Sequence, residues 1–284
     1  MEVIYRPENL NELDAIIQTS QARLTYIAGA TDLMVQEERW NAANNLVDLT
    51  SIKEIYQTLE ISESHILIGS ALPLSEIISN RTIQQKLPIL VHACHQIGSA
   101  QIQNRATLGG NIANASPAGD SLPVLSVLDA ELWIGPRRNS EFEKLKIDQV
   151  MLNPGETSLK ANRYIAYFSI PFPNEENQFW YFRKVGQRKS LAISKVSLAV
   201  LGWIKNNKIE EIRITTGSVS PQIRRAKMTE AILNNQILAE EIIEKARLSI
   251  MEEVAPITDI RSTDAYRKHT CGELLREALY QRII

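Results

Sequence analysis

Four of the twelve glycines in this 284-residue chain, Gly98, Gly109, Gly110 and Gly119, fall within one stretch of 22 residues. Glycine is otherwise scarce, about 4 % of the chain against a usual value near 7 %. A fold that gathers its few glycines in one place must there turn tightly, or bring backbone against something a Cβ would strike. The stretch reads IGSAQIQNRATLGGNIANASPAGD (97–120). At its centre, Thr107 and Asn111 flank Gly109 and Gly110 with hydrogen-bonding groups. Asp120, at its end, could accept from a ribose hydroxyl. A buried loop whose Asn and Asp cap their own backbone accounts for the same residues.

A second turn of small residues, Ala28-Gly29-Ala30-Thr31-Asp32-Leu33, follows a strand expected over 24–28. Its successive backbone N–H groups are unshielded, a shape suited to phosphate oxygens, and Thr31 adds a hydroxyl donor. A plain strand-to-helix turn fits those residues equally well.

Around these turns the pattern is mixed. Short strands are expected at 3–5 and 46–49, and a hairpin at 59–61 and 65–69 around Ser62–Ser64. Asn9 with Glu12 resembles a capping box, and Leu10, Leu13, Ile16 and Ile17 then repeat at helical spacing. A helix is expected over 83–98, broken at Pro88, and a short one over 123–128. PFPNEENQ (171–178) is the best domain boundary, two prolines followed by a polar run. Beyond it, strands are expected over 179–184, 194–204 and 208–215, the last two joined at Asn206–Asn207, with helices from about Arg225 onward. The expected division is 1–174 and 175–284.

Several function classes fall away. Lys and Arg number 31 and Asp and Glu 33, a net charge of −2, which gives no drive toward nucleic acid or an anionic membrane. No stretch approaches the roughly 18 apolar residues of a membrane helix. MEVIYRPENL lacks the basic and apolar regions of a signal peptide, so a cytoplasmic location is expected. Two cysteines, Cys94 and Cys271, suit a reducing compartment and cannot build an all-cysteine iron–sulfur cluster, which needs four thiolates. Rossmann, P-loop and nucleophile-elbow fingerprints are absent. His92 and His95 could share a helix face, but no further ligand is spaced to complete a metal shell. Arg137–Arg138 and Arg224–Arg225 are expected as solvated surface pairs.

Taken together, the two glycine-bearing stretches resemble a known family. YIAGATDL (26–33) is similar to the phosphate loop of the flavin-binding medium subunit of the molybdenum hydroxylases, the relatives of xanthine dehydrogenase and carbon monoxide dehydrogenase. The segment 97–120 resembles that family's longer and more specific second signature. YRPENLNEL (5–13) and AYRKHTCGELLREAL (265–279) are similar to its start and its closing helix, so the resemblance spans the chain.

The resemblance implies an α+β fold: a two-lobed FAD-binding domain of the vanillyl-alcohol oxidase (PCMH) type, then a smaller C-terminal domain with an antiparallel sheet and helices. It implies bound FAD. Tyr26, Ile27, Ala28, Gly29, Ala30, Thr31, Asp32 and Leu33 would wrap the pyrophosphate from one side. Thr107, Gly109, Gly110 and Asn111 would hold it from the other, and Asp120 would contact the ribitol or ribose. By position, Ile97 and Ile165 would wall the flavin and Lys184 would approach its ring.

It implies partners as well: a molybdopterin-binding large subunit that oxidises the substrate, expected to be a purine or related N-heterocycle, and a small subunit with two 2Fe–2S clusters. Electrons would pass from these clusters through FAD to NAD+ or another acceptor, so no acid–base residue is assigned. A stand-alone flavin dehydrogenase or oxidase and a non-flavin assembly module remain as alternatives. Three departures stand out. Ala30 replaces a frequent second glycine, requiring an ordinary backbone conformation or a wider loop. Gln103 replaces a frequent Arg. GQRKSLAIS (186–194) lacks the acidic pair of many relatives.

Overall fold

A computed structural model describes residues 3–159, 162–188 and 191–281. Among the described residues, three larger sheets and one two-stranded hairpin are formed. The first joins β1 (Val3–Tyr5), β2 (Thr25–Ile27) and β3 (Asn45–Asp48), all parallel, in the order β1-β3-β2. Parallel strands need crossovers: the helix Leu10–Thr19 lies between β1 and β2, and the helix Glu37–Ala42 between β2 and its neighbour β3. Asn9 caps that helix, accepting from Glu12 N at 3.0 Å. The returning arm of the capping box reaches Glu8 N at 2.8 Å instead of Asn9 N.

The second sheet is antiparallel, built from β4 (Leu59–Ile61), β5 (His65–Gly69), β6 (Glu131–Arg138) and β7 (Glu141–Lys146), with a small β8 (Met151–Asn153) and β9 (Glu156–Thr157) hairpin beside it. Its central strand is β10 (Tyr164–Pro171), giving the order β4-β5-β10-β6-β7. β10 carries a bulge between Ile165 and Tyr167. The extra residue resets which face each side chain takes. Ile165, Phe168 and Ile170 enter the large core under the helices, while Tyr164, Ala166 and Tyr167 pack with Leu13, Val47 and Ile52 of the first lobe.

The two helical regions expected over that core are present, and Leu74–Ser79 and Leu108–Ala113, outside every expected helix, pack on it as well. The apolar run before Gly98 forms two helices, Arg81–Lys86 and Pro88–His95, with the break at Leu87 and Pro88 opening the second. Proline is tolerated there because the first N–H of a helix has no internal partner. Ser121–Val127 forms the helix expected near Pro123.

The third sheet is a meander of β11 (Gln178–Val185), β12 (Val196–Lys205) and β13 (Lys208–Gly217). Asn206 and Asn207 take φ of 50° and 59°, the left-handed pair a tight hairpin turn demands and asparagine tolerates. Its two faces follow the two-residue period of a strand. Phe182, Ala199, Leu201 and Trp203 join the core of the second lobe. Tyr181, Leu198, Val200 and Ile214 pack on the helices Lys227–Leu233, Glu240–Glu253 and Asp264–Tyr280. Both faces are covered, so the C-terminal sheet is fastened to the body.

The arginine pairs correct the sequence expectation. Arg224 and Arg138 are exposed, but their neighbours are not free surface groups. Arg225 holds the Glu230 carboxylate, which is 3 % exposed, through Nε and, at 2.9 Å, through Nη2. Arg137 donates to Asp14 at 2.8 Å and to Asn11 at 2.7 Å. Among the described residues no group of three His, Cys, Asp or Glu could hold a metal. His92 instead meets the Trp180 ring at 5.6 Å. No described helix is long and apolar enough to cross a membrane.

Candidate functional site

The turn after β2 and the segment around Gly109 meet in space. An added Cβ on Gly29 would lie 1.8 Å from the carbonyl oxygen of Arg105, so only glycine lets these backbones touch. The second segment is anchored from behind. Leu74 N donates to Ala106 O at 2.9 Å, Gly109 N to Ser70 O at 3.1 Å, and Ser70 Oγ to Ile165 O at 2.5 Å. A Cβ on Gly109 would sit 2.6 Å from that Ser70 carbonyl. Gly29 and Gly109 therefore serve the packing of the walls.

Gly110 differs. A Cβ there would meet only Thr107 Oγ1, at 3.2 Å. Its position opens into a cleft of about 350 Å³ between the two walls. One wall is residues 25–33; the other includes Ala106, Thr107, Asn111 and Asn114. Leu74, Ile97 and Ile102 give it an apolar side.

Two hydrogen-bonding side chains, Thr107 and Asn111, line this space. Thr107 caps the helix Leu108–Ala113, its Oγ1 accepting from Gly110 N at 2.9 Å, which leaves its own O–H to donate. Asn111 Oδ1 accepts from Ser121 Oγ at 2.5 Å. Among the described residues the Asn111 amide nitrogen has no acceptor. Tyr26 lies against Tyr164 with ring centroids 5.6 Å apart, and its buried hydroxyl has no partner. Burial, and then the Asp14 charge, push the Tyr26 phenol above its ordinary range.

Ala30 takes φ of +57°. Of the two alternatives, an ordinary conformation or a wider loop, the first is excluded. The turn needs a left-handed residue, and alanine adopts that conformation at a cost of about 1–2 kcal/mol. Gln103 Nε2 donates to His95 O and Ile97 O, both at 3.1 Å, so it ties down the end of the preceding segment.

Asp120 and Lys184 do not line the cleft. They meet each other where Lys184, near the end of β11, donates to Asp120 Oδ2 at 2.5 Å and to Gln96 O at 3.2 Å, beside Ile97. Burial pushes the Asp120 carboxyl up to about 6, against the opposing pull of Lys184. Asp120 Oδ1 is buried without a partner. Ile165 is 4 % exposed, in the core behind the second wall; only its carbonyl reaches toward the site, through Ser70. Lys189 and Ser190, in the run after Lys184, lie outside the described residues.

Sequence reasoning missed one charged group. Arg39 lines the cleft, donating from Nη1 to Asp32 Oδ2 at 3.3 Å on one wall and to Asn114 Oδ1 at 2.8 Å on the other. It sits in the helix Glu37–Ala42, outside either motif, and nothing in the local pattern singles it out.

The cleft fits a dinucleotide: neutral donors, a glycine whose missing Cβ leaves room, and an apolar end. Comparisons agree. The family described as the FAD binding domain in molybdopterin dehydrogenase matches residues 1–173, and the CO dehydrogenase flavoprotein C-terminal domain matches residues 180–282. The xanthine dehydrogenase FAD-binding subunit of Escherichia coli O157:H7 is 26% identical, over 95% of this chain and 92% of its own. The nicotinate dehydrogenase FAD-subunit of Eubacterium barkeri is 25% identical, over 94% and 90%. The solved carbon monoxide dehydrogenase of Hydrogenophaga pseudoflava, in a form lacking the Mo-pyranopterin moiety, superposes with a TM-score of 0.90 at 23% identity, covering 98% of this chain and 96% of that one. The chain belongs to the family of FAD-binding medium subunits of the molybdenum hydroxylases, the oxidoreductases related to xanthine and carbon monoxide dehydrogenases.

Proposed function

We propose that this chain is the electron-transfer subunit of a molybdenum hydroxylase complex that oxidises a purine or related N-heterocycle. Its partners in this reading are a molybdopterin-binding large subunit and a small subunit with 2Fe–2S clusters. When bound, FAD supplies exchange of one or two electrons between those clusters and NAD+ or another acceptor. The observation that carries the reading is Gly110, a glycine inside a helix whose open side faces the cleft rather than another part of the chain. The N-heterocycle is favoured by the relatives named for xanthine and nicotinate.

The chain's own contribution is binding and placement. Backbone N–H groups of the turn from Ala28 to Thr31, with Thr107 and Asn111, are assigned to the diphosphate. Close approach at Gly29 fixes the spacing of the two walls. Ile97 supplies apolar contact, and Lys184 with Asp120 sets the charge beside it. No side chain is required to hold or move a proton.

The test is the visible spectrum of the purified chain, followed by denaturation and identification of the released chromophore. Roughly equimolar FAD is expected. A chain that remains colourless after incubation with FAD would overturn the assignment. Co-purification with a molybdenum protein and an iron–sulfur protein separates the complex from a stand-alone flavoenzyme.

A further inference from the structure

The cleft has an electrostatic problem at its mouth. A dinucleotide diphosphate carries about two negative charges, and Asp32 presents a carboxylate on the same wall. Among the described residues lining the cleft, one side chain is cationic, and it is Arg39. Arg39 Nη1 is shared among Asp32 Oδ2 at 3.3 Å, Gln36 Oε1 at 3.2 Å and Asn114 Oδ1 at 2.8 Å. Its Nε and Nη2 have no acceptor among the described residues. The guanidinium thus spans both walls with one nitrogen and keeps the rest of its fork uncommitted. A planar fork matches two oxygens of a phosphate. Gln36 Nε2 also holds Asp32 Oδ2 at 2.6 Å, so the carboxylate keeps a partner if Arg39 turns away.

The geometry points to Arg39 as a diphosphate-binding residue of this cleft. It exchanges its long contact to Asp32 for the anion and remains tied to Asn114, closing the mouth between the walls. This rests on the FAD reading and adds to it a charged anchor in a site otherwise built from neutral donors. The side chain is 51% exposed, so replacing it removes little packing.

The test titrates the full chain with FAD and with riboflavin, the same ring system without the diphosphate, at low and high sodium chloride. Arg39→Gln is expected to weaken FAD by about 10- to 100-fold, the range a charge-assisted hydrogen bond sets. Riboflavin should be unaffected, and Arg39→Lys should fall between. FAD affinity of the parent chain should drop with salt, and that of Arg39→Gln should drop less. Unchanged FAD affinity in Arg39→Gln overturns the role. So does an undiminished salt dependence, or an equal loss for FAD and riboflavin, which would make Arg39 a shaper of the cleft. A parent chain that binds neither flavin overturns the FAD reading itself.

Discussion

Lys184 Nζ lies 2.5 Å from Asp120 Oδ2, so an ion pair buried between β11 and the start of the helix Ser121–Val127 joins the C-terminal sheet to the glycine-rich segment. The two side chains are only 11% and 7% exposed. Taking charges out of water is costly, and such a pair is held by mutual attraction rather than by a net gain from burial. Removing one partner leaves the other without compensation.

The pair's stability effect depends on pH with a definite sign. Asp120 titrates at about 6 in the folded chain against an ordinary 3.8. Between those values the folded state holds more protons than the unfolded state, so stability falls as pH rises through the window. Lys184→Met removes the pull that lowers the carboxyl and pushes the folded value higher still. The variant should therefore lose more stability at about pH 8 than at about pH 5, where Asp120 can take up a proton. Denaturant titrations of both proteins at the two pH values check this. Equal losses would mean that Asp120 is not the group responding.

The two adjacent glycines should separate packing from binding. At Gly109 a methyl group meets Ser70 O at 2.6 Å and Ser70 Cβ at 2.8 Å, so Gly109→Ala must push the helix off β10's anchor. Overpacking of this kind costs about 1–3 kcal/mol. At Gly110 the added atom meets only Thr107 Oγ1, at 3.2 Å, a contact relieved by a shift of a few tenths of an ångström, and alanine in place of an exposed helical glycine gains up to about 1 kcal/mol of helix propensity against that cost. Gly110→Ala should leave the melting temperature unchanged or raised while weakening FAD, and Gly110→Val should abolish binding. Flavin content and thermal melts measured side by side decide it. A Gly110→Val chain that retains full FAD would remove the diphosphate assignment of this wall.

Ala30 stores strain that a single change should release. A left-handed alanine costs about 1–2 kcal/mol, while glycine in its place gives back about 0.4–1 kcal/mol through the freer unfolded chain. Ala30→Gly should thus leave the protein equally stable or stabilise it by up to about 1.6 kcal/mol, and should retain FAD. Ala30→Val, whose branched side chain tolerates positive φ still less, should lose both. Urea midpoints and bound flavin are the readouts. A destabilised Ala30→Gly would mean that the turn does not hold φ of +57° in solution.

What the sequence disclosed and what it hid follow from range. Turns and caps are local: the Asn206–Asn207 hairpin, the Asn9 cap and the split at Pro88 all appear close to where spacing puts them. The cleft walls were legible because their chemistry is written in short runs of small residues. β10 went unrecognised because its bulge breaks the alternation that marks a strand, and burial on both faces removes the polar half of the pattern. Arg39 was hidden for a different reason. Its partners Asp32 and Asn114 lie 7 and 75 residues away, and only the folded walls bring all three together.

Range also governs the arginine pair 224–225, where identical neighbours do opposite things. Arg224 is exposed, so Arg224→Ala should change neither stability nor flavin content beyond about 0.5 kcal/mol, the usual limit for a free surface site. Arg225 is the counter-ion of Glu230, whose side chain is 4% exposed and which also accepts from Ile214 N at 2.8 Å on β13. Arg225 further reaches Asp129 at 3.5 Å, linking β13's edge back to the second lobe. Arg225→Ala leaves the buried Glu230 carboxylate facing β13 with only the exposed Lys227, 3.3 Å away, as its cation, and should cost up to about 3 kcal/mol, the lower end for a broken buried pair. Coupling Arg225→Ala with Glu230→Gln should recover much of that loss, since the uncompensated charge is then gone. Chemical denaturation of the two single arginine variants and the double variant gives the answer. If both arginines prove equally dispensable, the Arg225–Glu230 pair does not hold the helix Lys227–Leu233 against the sheet.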